Sequence, residues 1–184
     1  MSNHEVYLDA NATTPVLPAA PKAAYQTMDM TYGNPSSSHI TGIRAKYIME
    51  NARSAARKLL GANDGKLIFT SGATEGIQTA VVSSLWDAKQ AGNIPTNAKL
   101  LYGATEHKAV PETLKHWNTL FDINAEVVAI PVDEKGILDV NFIAEHAADA
   151  LMICTMAVNN ETGVYQDLDK IEQTIRQANP QAKW

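Results

Sequence analysis

Residues Phe69 to Gly76 read Phe-Thr-Ser-Gly-Ala-Thr-Glu-Gly, and further along comes Thr105-Glu106-His107-Lys108. The first stretch follows an apolar run, Lys66-Leu67-Ile68-Phe69, and precedes a helical pattern. A strand that ends in small hydroxyl residues and then opens a helix is an anion site. The free N–H groups of the first helical turn point at one spot, and the helix dipole favours negative charge there. Gly72 permits a close backbone turn, and Ser71 and Thr74 add hydroxyl donors. The second stretch sets a histidine just after another apolar run, Lys99-Leu100-Leu101-Tyr102. Together the two suggest a phosphate-bearing cofactor whose aromatic ring lies against an imidazole.

Each segment also has a plainer explanation. Ser71 to Gly76 is equally an ordinary helix cap, with a hydroxyl on the first N–H groups and Glu75 in the first turn. It is neither a Walker loop nor a dinucleotide fingerprint, because neither Gly-Lys-Ser/Thr nor Gly-x-Gly-x-x-Gly is present. A lone histidine after a strand is more often structural than catalytic. At the same sheet end as a phosphate cup, His107 could instead stack on a heteroaromatic ring and relay protons near neutral pH. His39, after three serines in a loop, is a weaker candidate of the same kind. In Val158-Asn159-Asn160-Glu161-Thr162-Gly163, two amides and a glycine mark a tight turn. Asn159 also offers a donor and an acceptor in a fixed fork, suited to a ring hydroxyl or a substrate carboxylate. The segments containing Asn11, Ala12 and Thr13 and Gly33 to Ser37 read by themselves as polar turns. Cys154, inside Leu151-Met152-Ile153-Cys154-Thr155-Met156, reads as a small buried hydrophobe.

Composition narrows the class. The chain has 184 residues, 45% of them hydrophobic and 19% charged, with a net charge of −5. That is the profile of a globular protein with one good core. With no lysine/arginine block, nucleic acid or an anionic membrane is not the expected main partner. No apolar run reaches the ~18–20 residues of a membrane span. The N-terminus lacks the basic-then-apolar order of a signal peptide. A single cysteine excludes an internal disulfide framework and argues against a cysteine-held metal cluster, so no metal is expected. The simplest compartment is the cytoplasm.

The elements that must position these residues follow from periodicity. A short strand is expected over Val6–Asp9, then a helix over Lys22–Met30, a loop over Tyr32–His39 and a long amphipathic helix over Thr41–Leu60 stopped by Gly61. Alternation begins there: strand Leu67–Thr70, helix Thr74–Ala91, strand Lys99–Tyr102, helix Lys108–Phe121, strand Glu126–Pro131, a turn at Asp133–Gly136, helix Val140–Ala148, strand Ala150–Ala157 and helix Asp167–Ala178. Such alternation predicts an α/β, three-layer fold with a mostly parallel sheet flanked by helices. Ligands of these sheets bind at the carboxyl ends of the strands. Ser71–Glu75, Thr105–His107 and Asn159–Gly163 all fall at such ends. Gln177 to Trp184 reads as a helix-to-strand connection, so a further strand is expected to begin there and the chain to be part of a longer protein.

Five segments then carry a resemblance: Leu8-Asp9-Ala10-Asn11-Ala12-Thr13-Thr14-Pro15, Gly33-Asn34-Pro35-Ser36-Ser37-Ser38-His39, Phe69-Thr70-Ser71-Gly72-Ala73-Thr74-Glu75, Thr105-Glu106-His107-Lys108-Ala109-Val110 and Val158-Asn159-Asn160-Glu161-Thr162-Gly163. In this order they closely resemble the N-terminal part of cysteine desulfurases, in the class V aminotransferase family of pyridoxal-phosphate fold type I. The last two segments look most like the iron–sulfur-cluster/nitrogenase branch. The resemblance implies that Ala73 and Thr74 hold the phosphate of pyridoxal 5'-phosphate. It implies that His107 stacks on the ring and moves protons, and that Asn159 lies near the phenolic oxygen and the substrate carboxylate. Asn11, Ala12 and Thr13 would line the substrate side. It also implies residues 1–40 as an N-terminal arm and small-domain pocket segment, and 41–184 as the first part of the large domain.

The implied reaction takes sulfur from L-cysteine, giving L-alanine and an enzyme persulfide for iron–sulfur cluster or thio-cofactor synthesis, in a homodimer that passes sulfur to an acceptor protein. The family's covalent lysine, ring-nitrogen aspartate, nearby glutamine, persulfide cysteine and substrate arginine are expected on elements after residue 184. Lys108 and Cys154 are not candidates for the lysine and the persulfide cysteine, and the segment alone is expected to be inactive. The competing readings are another reaction of the same family (selenocysteine lyase, kynureninase-like hydrolase or transaminase) and a non-catalytic scaffold.

Overall fold

The computed structural model describes residues 6–62, 64–92 and 94–184, and divides into two compact units at Phe69/Thr70. In the first unit, α1 spans Ala19–Met30 and α2 spans Ile40–Leu59. His39 starts α2: its Nδ1 accepts the Gly42 N–H at 3.3 Å, so this imidazole serves as a helix cap. The loop before it folds tightly, with Asn34 accepting the Ser36 and Ser37 N–H groups on its side chain and carbonyl. Gly42 is buried under that loop, where a Cβ would meet the Ser37 carbonyl oxygen at 2.5 Å and that of Asn34 at 2.7 Å. Gly61, at φ +68°, ends the helix as its sequence position predicts.

Two expected strands do not form. Residues 6–9 are irregular and exposed, organised by the Tyr7 hydroxyl donating to the Asp9 and Thr13 carbonyls at 2.7 and 3.0 Å. Residues 67–70 are likewise unpaired, with Ile68 and Phe69 exposed. A strand exists by pairing, and among the described residues this run has no ladder neighbour. Arg53 serves it instead, donating to the Leu67 carbonyl at 3.0 Å and lying 5.5 Å from the centre of the Phe69 ring.

The second unit is the expected three-layer α/β fold. Its elements are α3 (Ala73–Ala91), β1 (Lys99–Gly103), α4 (Ala109–Leu120), β2 (Glu126–Ile130), α5 (Val140–His146), β3 (Ala150–Cys154) and α6 (Leu168–Ala178). The strands are parallel in the order β2-β1-β3. Alternation along β1 sends Leu100 and Leu101 to opposite faces. Leu100 joins Val81, Leu85, Val110 and Leu114 beneath α3 and α4, and Leu101 joins Ile143, Ile153, Ile171 and Ile175 beneath α5 and α6.

β3 is shorter than expected because β1 ends at Gly103 and its last partner pair is Tyr102 with Cys154. α5 closes early into a single 3₁₀ turn at Ala147–Asp149. At the far end Lys183 forms a parallel bridge to Met152, where a strand was expected to start.

Filling the space at Gly42 should destabilise the first unit. Gly42→Ala is expected to cost about 1–3 kcal/mol through overpacking against backbone that cannot yield, seen as a lowered midpoint in thermal unfolding. An unchanged midpoint would show that the Asn34–His39 loop moves freely.

Candidate functional site

Three segments of the second unit lie toward the carboxyl end of its sheet. Parallel strands place the loop after β1 and the loop after β3 side by side. The register of α3 against α4 brings in the third. Near the start of both helices, Gln78 donates to the buried Thr113 hydroxyl at 3.0 Å and accepts from Trp117 Nε1 at 2.6 Å. Toward their ends, Lys89 donates to the Phe121 carbonyl at 2.5 Å, and Trp86 stacks obliquely on Phe121 with ring centres 5.4 Å apart. The two helices therefore run the same way, and their N-termini open at the same end as the strand termini. None of these cross-helix residues was singled out from the sequence. A glutamine, threonine and tryptophan on otherwise apolar helix faces was the available signal.

At the start of α3, Glu75 folds back so that its carboxylate accepts the Ser71 hydroxyl and the Ser71 N–H, each at 2.6 Å. The hydroxyl, and then the backbone N–H, hold the Glu75 carboxyl below its usual range. Ser71's hydroxyl and N–H are thus spent on Glu75. The donors left to an anion are the first-turn N–H groups of Ala73 and Thr74 and the Thr74 hydroxyl.

His107 precedes α4, and its Nδ1 accepts the Ala109 N–H at 3.2 Å. A neutral imidazole held this way carries its proton on Nε2. Asn159 is held more completely. Its Oδ1 accepts from the Glu161 N–H, the Thr162 N–H and the Thr162 hydroxyl at 3.0, 2.9 and 3.1 Å, and its Nδ2 donates to the Thr105 carbonyl at 3.1 Å. The fork read from the sequence is therefore half used: its acceptor is consumed by the turn, and one N–H of Nδ2 remains to offer. Thr105 to Lys108 and Asn159 to Thr162 line one cleft of about 510 Å³. Asn11, Ala12 and Thr13 belong to the first unit, where the Ala12 N–H closes a turn onto the Asp9 carbonyl at 3.2 Å.

Behind this cleft lies an apolar cavity of about 440 Å³, lined by Ile77, Val81, Val110, Met152, Cys154 and Trp184 among others, with Glu106 as its carboxylate. Glu106 accepts the Met156 N–H, just where β3 has left the sheet. Burial pushes its carboxyl up, partly opposed by that hydrogen bond. Burial, reinforced by the Glu106 charge, pushes the Cys154 thiol up to about 12. A thiol so perturbed is a poor nucleophile, as its strand setting suggested.

The unit's parallel strands deliver an imidazole and a carboxamide N–H to one edge, the carboxyl end at which such sheets generally take their ligands. The sequence profile described as aminotransferase class-V matches residues 6–182, and the chain belongs to that family. Cysteine desulfurase IscS of Pseudoalteromonas translucida is 37% identical over 176 residues, covering 94% of this chain and 42% of that protein. The mitochondrial cysteine desulfurase of Arabidopsis thaliana is 34% identical over 181 residues, covering 97% of this chain and 38% of that one. A solved structure titled NifS-like protein superposes with a TM-score of 0.86 at 30% identity, over 96% of this chain and 47% of its own. The chain spans about two fifths of the length of the curated relatives it matches.

Two outcomes check these electrostatics. At pH 8 the Cys154 thiolate fraction should be on the order of 10⁻⁴. Iodoacetamide should therefore label the Cys154 peptide at least about 100-fold more slowly in native than in denatured protein; equal rates would refute the buried thiol. The Glu106 carboxyl titrates above its ordinary 4.5 when folded. The native state then holds that proton longer than the unfolded chain, so stability falls as pH rises from 4.5 through the folded value. Glu106→Gln removes this loss, so it should gain unfolding midpoint relative to wild type between pH 4 and pH 7. A gap that does not change with pH would contradict the shift.

Proposed function

We propose that this chain is the N-terminal part of a pyridoxal-phosphate-dependent cysteine desulfurase, acting on L-cysteine to give L-alanine and a persulfide. The observation that carries the reading is the cleft shared by His107 and Asn159 at the carboxyl end of the sheet, in a member of the class V family. The cysteine desulfurases among its relatives support the choice of substrate. A cytoplasmic homodimer serving iron–sulfur cluster assembly belongs to the same proposal, with residues 1–40 as arm and pocket segment and 41–184 opening the large domain. No described helix is long and apolar enough to cross a membrane.

The donor set fits the cofactor. Glu75 is tied to Ser71, the Asn159 oxygen is tied to its own turn, and His107 Nδ1 is tied to Ala109. What these groups leave over are donors, which suit a phosphate and a phenolic oxygen. Ala73 and Thr74 would hold the phosphate through backbone N–H and hydroxyl. Asn159 would give its free N–H to the phenolic oxygen. His107 would lie against the ring and hold or move a proton at Nε2. Asn11, Ala12 and Thr13 would line the substrate side. When bound, pyridoxal phosphate supplies an electron sink for bond breaking in the amino-acid substrate.

The test uses the full-length protein, titrated with pyridoxal phosphate and supplied with L-cysteine. Alanine and persulfide sulfur should form in equal amounts. Thr74→Val should weaken cofactor binding about tenfold, the loss of one hydrogen bond to a charged group. His107→Ala should lower kcat by about 10²-fold or more. Residues 1–184 alone should release no sulfide, since no residue here takes the role of the covalent lysine. A full-length protein that binds no pyridoxal phosphate, or that leaves cysteine intact, overturns the proposal.

A further inference from the structure

Glu106 has no part in the cofactor contacts above, yet it is a half-buried carboxylate beside an apolar cavity. Burying a carboxylate costs several kcal/mol unless something offsets it. The offset is visible at Met156. There the chain has left β3 and β1 has already ended at Gly103, so the Met156 N–H has no ladder acceptor. A backbone donor left unpaired in such a place is itself costly. Glu106 supplies the missing acceptor.

This bond is one of two between the same loops. Asn159 Nδ2 donates to the Thr105 carbonyl at 3.1 Å, so Thr105–Glu106 and Met156–Asn159 are joined at two rungs. His107 follows directly on the first side, and Asn159 ends the second. We propose that Glu106 is a positioning residue: its carboxylate, bound to the Met156 N–H, fixes the spacing of His107 and Asn159 on which pyridoxal-phosphate binding depends. The inference rests on the cofactor reading above. What matters is an acceptor of the right reach, and the charge is incidental. Glutamine keeps both reach and acceptor, aspartate keeps the charge but is one methylene shorter, and alanine keeps neither.

The experiment compares full-length wild type with Glu106→Gln, Glu106→Asp and Glu106→Ala. Three readouts are taken: the pyridoxal-phosphate dissociation constant, the visible circular dichroism of the bound cofactor, and hydrogen exchange of the Met156 peptide in the apoprotein. Glu106→Gln should stay within about threefold of wild type. The Asp and Ala variants should bind about tenfold or more weakly, with a reduced dichroic band and faster exchange at Met156. Asp near wild type with Gln impaired would show that charge, and not the bond, is required, and would overturn the proposal; so would four equal proteins. Should the Asp and Ala variants fail to fold, the Gln variant decides: wild-type exchange and dichroism support the bond, and loss of either overturns it. Wild type that binds no pyridoxal phosphate sinks the cofactor reading itself. Wild type that binds it, without the expected order among variants, sinks only the role of Glu106.

Discussion

Burial of β1 on both faces organises the second unit. Leu100 and Leu101 are wholly buried on opposite sides, each contributing about 1.5–3 kcal/mol relative to exposure. That burial requires a helical layer on each side, and parallel pairing to β2 and β3 then fixes which way every connection runs. Each connection must return over a face, so helix N-termini gather where strands end. The site is a consequence of this traffic. His107 stands where it does because β1 stops at Gly103 and α4 must turn back over Leu100. Asn159 stands where it does because β3 stops one residue after Ile153 has filled the other face.

Most of this was legible in the sequence because it depends on local pattern. Apolar runs of four or five residues, separated by helices with three-to-four spacing, are enough to predict parallel α/β units and to place His107 and Asn159 in the loops after strands. The failures fall where a strand depends on a partner. Val6–Asp9 and Leu67–Thr70 have strand-like composition, but pairing is not a property of one segment. The ends of β3 and α5 were missed for a related reason: they are set by where β1 stops and by where the chain must turn.

Side-chain roles were harder to read than positions. His39 and His107 both follow polar residues in loops, yet each turns its Nδ1 to a helix N–H. For His39 the cap is a sufficient account. For His107 the cap fixes the tautomer and leaves Nε2 for other work. Glu106 closes the turn after β1, its N–H donating to the Gly103 carbonyl at 2.9 Å, and that turn delivers its carboxylate to the loop after β3, where a backbone donor lacks an acceptor.

What the cleft can offer a ligand is set by what its own turns consume. A fork such as Asn159 could in principle receive a cation or a donor through its oxygen. Three donors from Glu161 and Thr162 occupy that oxygen, so the side chain speaks outward only through N–H. Glu75 at the start of α3 is bound by Ser71, whose hydroxyl and N–H favour its ionised form. His107 turns its acceptor nitrogen inward. For Asn159 and His107 an acceptor is satisfied locally and a donor is left over. Such a site, made of dipoles held by neighbouring turns, depends more on the stiffness of those turns than on net charge. That is why the rungs joining Thr105 and Glu106 to Asn159 and Met156 matter as much as the donors they hold apart.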